Sequence, residues 1–408
     1  MSQYKKRYLE DQILKLSKSF PILLLTGARQ VGKTTLLQHM SEKSGLKHQY
    51  ISLDEFEIRS LAKRDPGMFL KQYPAPLIID EIQYAPELLP YIKAEVDRNK
   101  KKGSYWLTGS QQFYLMKNVS ESLAGRVAIL KMLGLSSAEE KEIIYQKQPW
   151  SPDQKITNNN SETITEIFKR IIQGSFPAVS NKPTPPLDAF YGSYVQTYID
   201  RDLRDLVKVS SLSSFDKFIR LCAARTATML NLSDLARDSD ITVNTAKEWL
   251  SLLESAGQIY LLRPYYQNLS KRLVKAPKLY FLDTGLVSYL TGWRNPISTS
   301  RGAFAGQLFE SYVFSEIFKS YLHRGVEPRL YYYRTKEKVE IDIIIEKNGV
   351  LMPVEIKLSS RVQESDIPGI LKLQKEHKNC GQSVVIALTR QNYAISDNIK
   401  VLSSSVIL

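Results

Sequence analysis

The chain has 408 residues, 43% hydrophobic and 24% charged, with a formal net charge of +14 and a sequence pI near 9.4. That length exceeds what one hydrophobic core serves, so roughly two to four domains are expected, and the composition excludes a wholly disordered chain. The excess of cations favours an anionic partner such as nucleic acid, DNA or RNA, or a membrane surface. Cys222 and Cys380 are the two cysteines and form no C-x-x-C pair, which argues against a disulfide framework or a cysteine zinc site. No apolar run is long enough to span a bilayer, and Pro21 to Leu25 is too short for a signal-peptide core. A cytoplasmic location with no membrane partner is the expectation.

Residues 3 to 19 place Tyr8, Leu9, Ile13, Leu14 and Leu16 at helical spacing among charged residues, predicting an amphipathic helix. The apolar run from Leu23 then breaks into Gly27-Ala28-Arg29-Gln30-Val31-Gly32-Lys33-Thr34-Thr35 and resumes at Leu36. This is the G-x-x-x-x-G-K-[ST] pattern between a strand and a helix. Glycines let successive backbone N–H groups curl around phosphate oxygens, and the new helix adds its positive end. Gly27, Ala28, Gln30, Val31, Gly32, Lys33, Thr34 and Thr35 are therefore the expected nucleotide-binding residues. Lys33 would reach the β- and γ-phosphates of ATP, and Thr34 would offer its hydroxyl to Mg²⁺.

Tyr50 to Asp54 reads as a second strand, and Asp65-Pro66-Gly67 as a turn or helix end. Leu77-Ile78-Ile79 is apolar on both faces, as a strand inside a parallel sheet is, and ends in Asp80-Glu81. Acids at that position face the ligand side of an open α/β sheet. Asp80 is the candidate Mg²⁺ residue, and Glu81 would polarise the attacking water. A third strand, Tyr105 to Thr108, places Ser110 where a sensor between nucleotide and acids would sit. Arg126, ahead of a strand predicted over Val127 to Leu135, fits two roles. It would neutralise a γ-phosphate of its own or a neighbouring subunit, or form a structural ion pair.

The polar stretch 146–163 and Pro183, Pro185 and Pro186 mark a seam, with helices predicted over Ile164 to Gln173 and Phe190 to Val207 as a lid. Helical patterns at Phe215 to Ala227, Leu232 to Ala236 and Val243 to Glu254 precede a strand at Ile259 to Leu262, the rhythm of a winged helix. Its last helix would face DNA or a protein, although Lys247 is its one basic residue beside Glu248 and Glu254. Arg263, Lys271, Arg272, Lys275 and Lys278 alternate with Tyr265 and Tyr266, either as a strand-binding patch or as a docking seam.

A second constellation follows. Glu310 lies on a helix predicted from Gln307 to Lys319, and Val339 to Ile345 and Val354 to Lys357 read as strands. Period-two alternation puts Glu340 with Asp342 on one face, and Glu355 with Lys357 on another. Were the strands neighbours, Asp342 and Glu355, with Glu310, would share a divalent metal while Lys357 oriented or deprotonated a water, as in metal-assisted phosphodiester hydrolysis.

Taken together, Gly27 to Thr35, Leu77 to Glu81, Thr108-Gly109-Ser110, Ser122 to Arg126, Tyr198 to Asp202, Pro277 to Leu286, Phe309-Glu310 and Glu340-Ile341-Asp342 resemble the AAA-type ATPases of bacteria and archaea that carry a C-terminal domain of unassigned function. The resemblance covers nearly the whole chain. It departs after Val127, where Leu133-Gly134-Leu135-Ser136 stands in place of the family's usual ending. It implies an α/β fold with a P-loop ATPase domain over 1–145, linker and lid helices over 146–213, a winged helix over 214–268 and a restriction-endonuclease-like domain over 269–408. Two functions are compatible with it. In one, ATP hydrolysis controls a nucleic-acid-binding or nuclease-like domain; in the other, a signalling or defence ATPase uses its terminal modules to hold protein partners, in either case as a single chain or a homo-oligomer. A nucleotide kinase would need an acceptor pocket, for which no motif is present.

Overall fold

Five short strands carry the N-terminal part of the computed structural model, which describes residues 4–110, 119, 121–143, 148–155, 162–181, 183–199, 212–266 and 275–407. They are β1 (Ile22–Thr26), β2 (Gln49–Ser52), β3 (Leu77–Asp80), β4 (Tyr105–Gly109) and β5 (Val127–Lys131). The sheet runs β2-β3-β4-β1-β5 with every pairing parallel. All five residues of β1 are buried, and it lies inside the sheet because Leu23, Leu24 and Leu25 can be covered from both faces. Register aligns the carboxyl ends: Thr26 pairs with Gly109 and Lys131, and Ser52 with Asp80. Gly27, Glu81 and Ser110 thus leave the sheet along one edge.

Helices α1 (Leu9–Ser17), α2 (Lys33–Ser44), α3 (Phe56–Arg64), α4 (Pro66–Gln72) and α5 (Leu88–Asn99) surround this sheet. Asp65 ends α3 and caps α4, its carboxylate accepting from Met68 N at 2.9 Å, so the Asp-Pro-Gly signal marks a junction of two helices.

The middle of the chain has helices Ile164–Gln173 and Leu187–Tyr194, then Leu212–Ala224, Leu232–Asp238 and Val243–Ser255. The last three precede or flank an antiparallel sheet of β6 (Thr228–Met229), β7 (Ile259–Leu262) and β8 (Lys278–Phe281), ordered β6-β8-β7. This sheet crosses the boundary expected at 268/269, because its central strand comes from beyond it. A mixed six-stranded sheet follows: β9 (Leu330–Arg334), β10 (Glu340–Lys347), β11 (Val350–Lys357), β12 (Ser383–Ala387), β13 (Tyr393–Ser396) and β14 (Ile399–Ser403), in the order β13-β14-β12-β11-β10-β9. The helix Ala305–Leu322 lies against it, and the helix Pro368–Glu376 contacts β10. One hydrophobic cluster runs continuously from Leu9 through Leu25 and Phe281 to Ile407.

Several elements differ from expectation. The first helix is shorter than 3 to 19, and β2 begins and ends earlier than Tyr50 to Asp54. β5 stops at Lys131 instead of Leu135: Met132 N turns to Thr26 O at 2.8 Å, and the carbonyls of Leu133 and Gly134 go to the Arg7 guanidinium. The helix expected over Phe190 to Val207 starts at Leu187 and widens into a π-turn over Val195–Ile199. Asp200-Arg201-Asp202, Lys271 and Arg272 lie outside the described residues.

Candidate functional site

Gly27 has φ 147° and Gly32 has φ 96°, backbone states that side chains disfavour. A Cβ on Gly27 would also lie 2.0 Å from the Met132 carbonyl oxygen, so this position admits glycine alone. The loop between them delivers Lys33 at the first turn of α2, where its ammonium donates to Gly27 O at 3.0 Å and Ala28 O at 2.9 Å. Thr34 Oγ1 donates to the Asp80 carboxylate, 2.9 Å from Oδ1 and 3.0 Å from Oδ2. The P-loop and the end of β3 therefore meet through two oxygen-bearing side chains.

Asp80 is 7% exposed and accepts two further bonds, from Tyr50 OH at 3.0 Å and from Thr108 Oγ1. Burial and the neighbouring Asp80 carboxylate push the Tyr50 phenol well above its ordinary pKa, so it remains a donor. Glu81 has φ 56° and ψ 47°, a left-handed state for a non-glycine residue, with its N–H fixed on Thr108 Oγ1 at 3.1 Å. Its carboxylate is held by Gln83 Nε2 and by Ser110 Oγ at 3.1 Å, and Gln83 also donates to Ser110 at 3.2 Å. Tyr50 and Gln83 were not legible as site residues in the sequence.

Lys33, Thr34, Asp80 and Glu81 line a cleft of about 920 Å³ together with Arg29, Gln30, Gly32, Thr35 and Asp54. Its opposite wall is Pro177, Ala178, Asn181, Pro183 and Phe190, from the helical segment that follows the sheet. Polar phosphate-binding groups thus face a largely apolar surface of a size that suits a nucleotide. Ala28 and Val31 lie buried in the loop, and the Val31 carbonyl accepts from Arg7 at 3.1 Å.

Arg126 lies elsewhere. Its carbonyl accepts from Ile22 N at the amino end of β1, opposite the edge that bears Gly27 and Asp80. Its guanidinium makes a two-pronged contact with Asp97, at 2.5 and 2.9 Å. A role at the γ-phosphate of its own subunit is corrected by this placement, since the whole strand separates it from the cleft.

In the C-terminal sheet, the long helix, β8, β10 and β11 bring four carboxylates together. Lys278 Nζ, on β8, lies 3.2 Å from Glu310 Oε1 and 3.3 Å from Asp342 Oδ1, and also pairs with Glu340. Tyr280 OH donates to Glu310 at 2.6 Å. Asp342 sits in an irregularity of β10 against β9, between Ile341 and Ile344, and accepts from Ile356 N at 2.8 Å. Glu355 pairs with Lys357 at 2.8 Å, while its Oε2 is buried without a hydrogen-bond partner. Burial and the nearby Asp342 raise Glu310 to about 7 and Glu355 to about 8. Burial alone would lower Lys278, but Tyr280, Glu310, Asp342 and Glu340 raise it well above the usual lysine range.

The metal expected between Glu310, Asp342 and Glu355 does not fit. An ammonium that is 3% exposed already supplies the positive charge there, and among the described residues no group of three or more His, Cys, Asp or Glu is placed to hold a metal ion. Lys357, expected to orient or deprotonate a water, pairs with Glu355; burial opposes its charge, but Glu355 and Asp342 raise its pKa above the usual lysine value. The basic stretch from Arg263 also changes meaning: Lys278 is buried, and Tyr265 N donates to Tyr332 O while its ring meets Tyr331 and His377. Arg263 and Tyr265 thus form part of a seam against β9, while Lys271 and Arg272 lie outside the described residues.

A buried network joins the two sites' domains. Arg7 donates to Val31 O, Leu133 O and Gly134 O and lies 3.3 Å from Glu139. Glu139 in turn meets His323 Nδ1 at 3.0 Å, at the end of the long helix. Burial works against the Glu139 charge, yet Arg7 and His323 hold its carboxyl well below the ordinary range.

Comparison with known proteins matches three segments of the chain. Residues 19–140 match the family model of an AAA domain, and 164–296 and 305–407 match two domains of unknown function, DUF8612 and DUF4143. An uncharacterized protein of Mycobacterium tuberculosis is 29% identical over 342 residues, 83% of this chain and 71% of that protein. An uncharacterized protein of Methanocaldococcus jannaschii is 23% identical over 312 residues, covering 66% and 62%. Among solved structures, the Walker-type ATPase of Pyrococcus abyssi aligns at 15% identity over 69% of this chain and 94% of its own, with a TM-score of 0.41. No helix among the described residues is long and apolar enough to cross a membrane. With its parallel sheet, its glycine loop and the Thr34–Asp80 contact, the segment 19–140 is an AAA-type P-loop domain.

Proposed function

We propose that the chain is an ATP-hydrolysing switch whose C-terminal half engages a partner according to nucleotide state and cuts no phosphodiester. The hydrolytic part rests on the convergence of Thr34, Asp80 and Glu81 beside Lys33 at one end of the sheet. The oxygen donors of Thr34 and Asp80, with Tyr50 and Thr108 fixing the carboxylate, suit Mg²⁺. Bound there, Mg²⁺ would neutralise phosphate charge. Lys33 leaves the loop carbonyls for the β- and γ-phosphates, and loop N–H groups hold the remaining oxygens. Glu81 orients the attacking water once released from Gln83 and Ser110. The apolar wall of Pro177 and Phe190 receives the base.

The domain reading that accompanies this is a P-loop domain over 1–145, lid helices over 146–213, and a winged helix that starts near 214 and needs β8 to complete its sheet. The second half is read as a holding module because Lys278 fills the carboxylate cluster, which favours partner binding over nuclease chemistry. Lys33→Ala should abolish nucleotide binding, and Glu81→Gln should bind ATP with near-parental affinity while hydrolysing it slowly. Calorimetric titration and phosphate release test both; equal turnover in Glu81→Gln and the parent would remove Glu81 from the reaction. Plasmid left intact with Mg²⁺ or Mn²⁺ and ATP is the expected outcome for the C-terminal half.

A further inference from the structure

Helix α3 carries Phe56, Arg59, Ser60, Lys63 and Arg64 at i, i+3, i+4, i+7 and i+8, so all five share one face. With Tyr84 they line a cavity of about 570 Å³ distinct from the nucleotide cleft. Phe56 is 74% exposed, an unusual position for a phenylalanine that packing could have covered. The Arg59 guanidinium lies 5.8 Å from the centre of the Phe56 ring and 5.5 Å from that of Tyr84, between two aromatic surfaces. Among the described residues no carboxylate and no aliphatic side chain lines this cavity.

The geometry points to a binding site here for single-stranded nucleic acid. An unstacked base has a face for Phe56 or Tyr84 and for the planar guanidinium, while Lys63 and Arg64 hold adjacent phosphates. A protein partner with an apolar anchor would meet no aliphatic floor, and a duplex would keep its bases stacked and out of reach. The chain's net charge of +14 draws a polyanion towards this face. Tyr84 OH also accepts from Arg29 at 2.9 Å, and Arg29 lines the nucleotide cleft, so an occupied α3 site borders the ATP site directly.

Fluorescence anisotropy of a labelled oligothymidylate with the full chain, at low salt and without ATP, tests this. The parent should bind with a steep salt dependence. Phe56→Ala should weaken binding roughly tenfold, the loss of one stacked base. Lys63→Ala should weaken it and flatten the slope of log affinity against log salt by about one contact's share. Both side chains are exposed, and thermal melts serve as the folding control. Equal affinity in the parent and Phe56→Ala overturns the site, as does duplex DNA binding as tightly, or polyglutamate displacing the oligothymidylate as well as unlabelled strand does. Because no nucleotide is present, a failure of the proposed ATPase reaction leaves this measurement unaffected.

Discussion

The Lys278 ammonium stands 3.3 Å from Asp342 Oδ1, so a strand of the small antiparallel sheet contributes the cation for carboxylates of the large mixed one. Truncating this lysine leaves Glu310, Glu340 and Asp342 without their shared counter-charge. Lys278→Met should cost about 3–5 kcal/mol in urea unfolding, the usual penalty for breaking a buried ion pair from one side. Added Mn²⁺ should recover part of that loss in the variant and bind nowhere in the parent's cluster. Mn²⁺ uptake by the nucleotide-free parent that vanishes in Asp342→Asn would contradict the assignment.

The same cluster sets a pH dependence. Glu310, at about 7, and Glu355, at about 8, are both raised above the ordinary glutamate value. Between those limits the folded chain therefore holds protons that the unfolded chain has released. Stability from these groups is present at low pH and declines as pH rises from the ordinary glutamate range through about 8. Glu355→Gln should flatten that decline in urea titrations across pH 5 to about 8; an unchanged slope would mean the carboxyl is not held protonated.

Tyr50 OH donates to Asp80 Oδ2 at 3.0 Å from the neighbouring strand. Tyr50→Phe removes one of three donors that aim the carboxylate. A loss of about 1 kcal/mol, or roughly fivefold in kcat/KM at limiting Mg²⁺, is expected from steady-state phosphate release. Saturating Mg²⁺ should restore most of it, whereas a purely structural role would leave the deficit unchanged.

Arg7 holds the Val31 carbonyl and neutralises Glu139, both in buried surroundings. Arg7→Met should destabilise the chain by about 3–5 kcal/mol, because the buried Glu139 would keep its contacts with Tyr8 N, Ser136 N and His323 but lose its cationic partner. Glu139→Gln combined with Arg7→Met should recover part of this in the same denaturation experiment. A double variant no more stable than the single one would show that Arg7 acts on the loop alone.

Much of this was legible from local pattern. The glycine loop, the apolar strand ending in Asp80-Glu81 and the alternation of Glu355 with Lys357 each write their geometry into a few consecutive residues. Tyr50 and Gln83 left no such mark, since what recruits them is strand register and the left-handed turn at Glu81. Lys278 was legible as a cation but not as a buried one. Its basic neighbours suggested a surface, while its place in the centre of β6-β8-β7 turned it inward against residues far along the chain. Arg126 shows the reverse error: its motif was visible, but which end of β5 it preceded decided that it stays away from the cleft.

The buried chain of contacts from Arg7 through Glu139 to His323 means that neither half of this polypeptide is portable. Excised alone, the first would carry an acid stripped of its imidazole, and the second a histidine and a wide greasy flank newly open to water. Truncations meant to isolate the P-loop domain from the C-terminal half should consequently precipitate, and the intact polypeptide should melt in a single step.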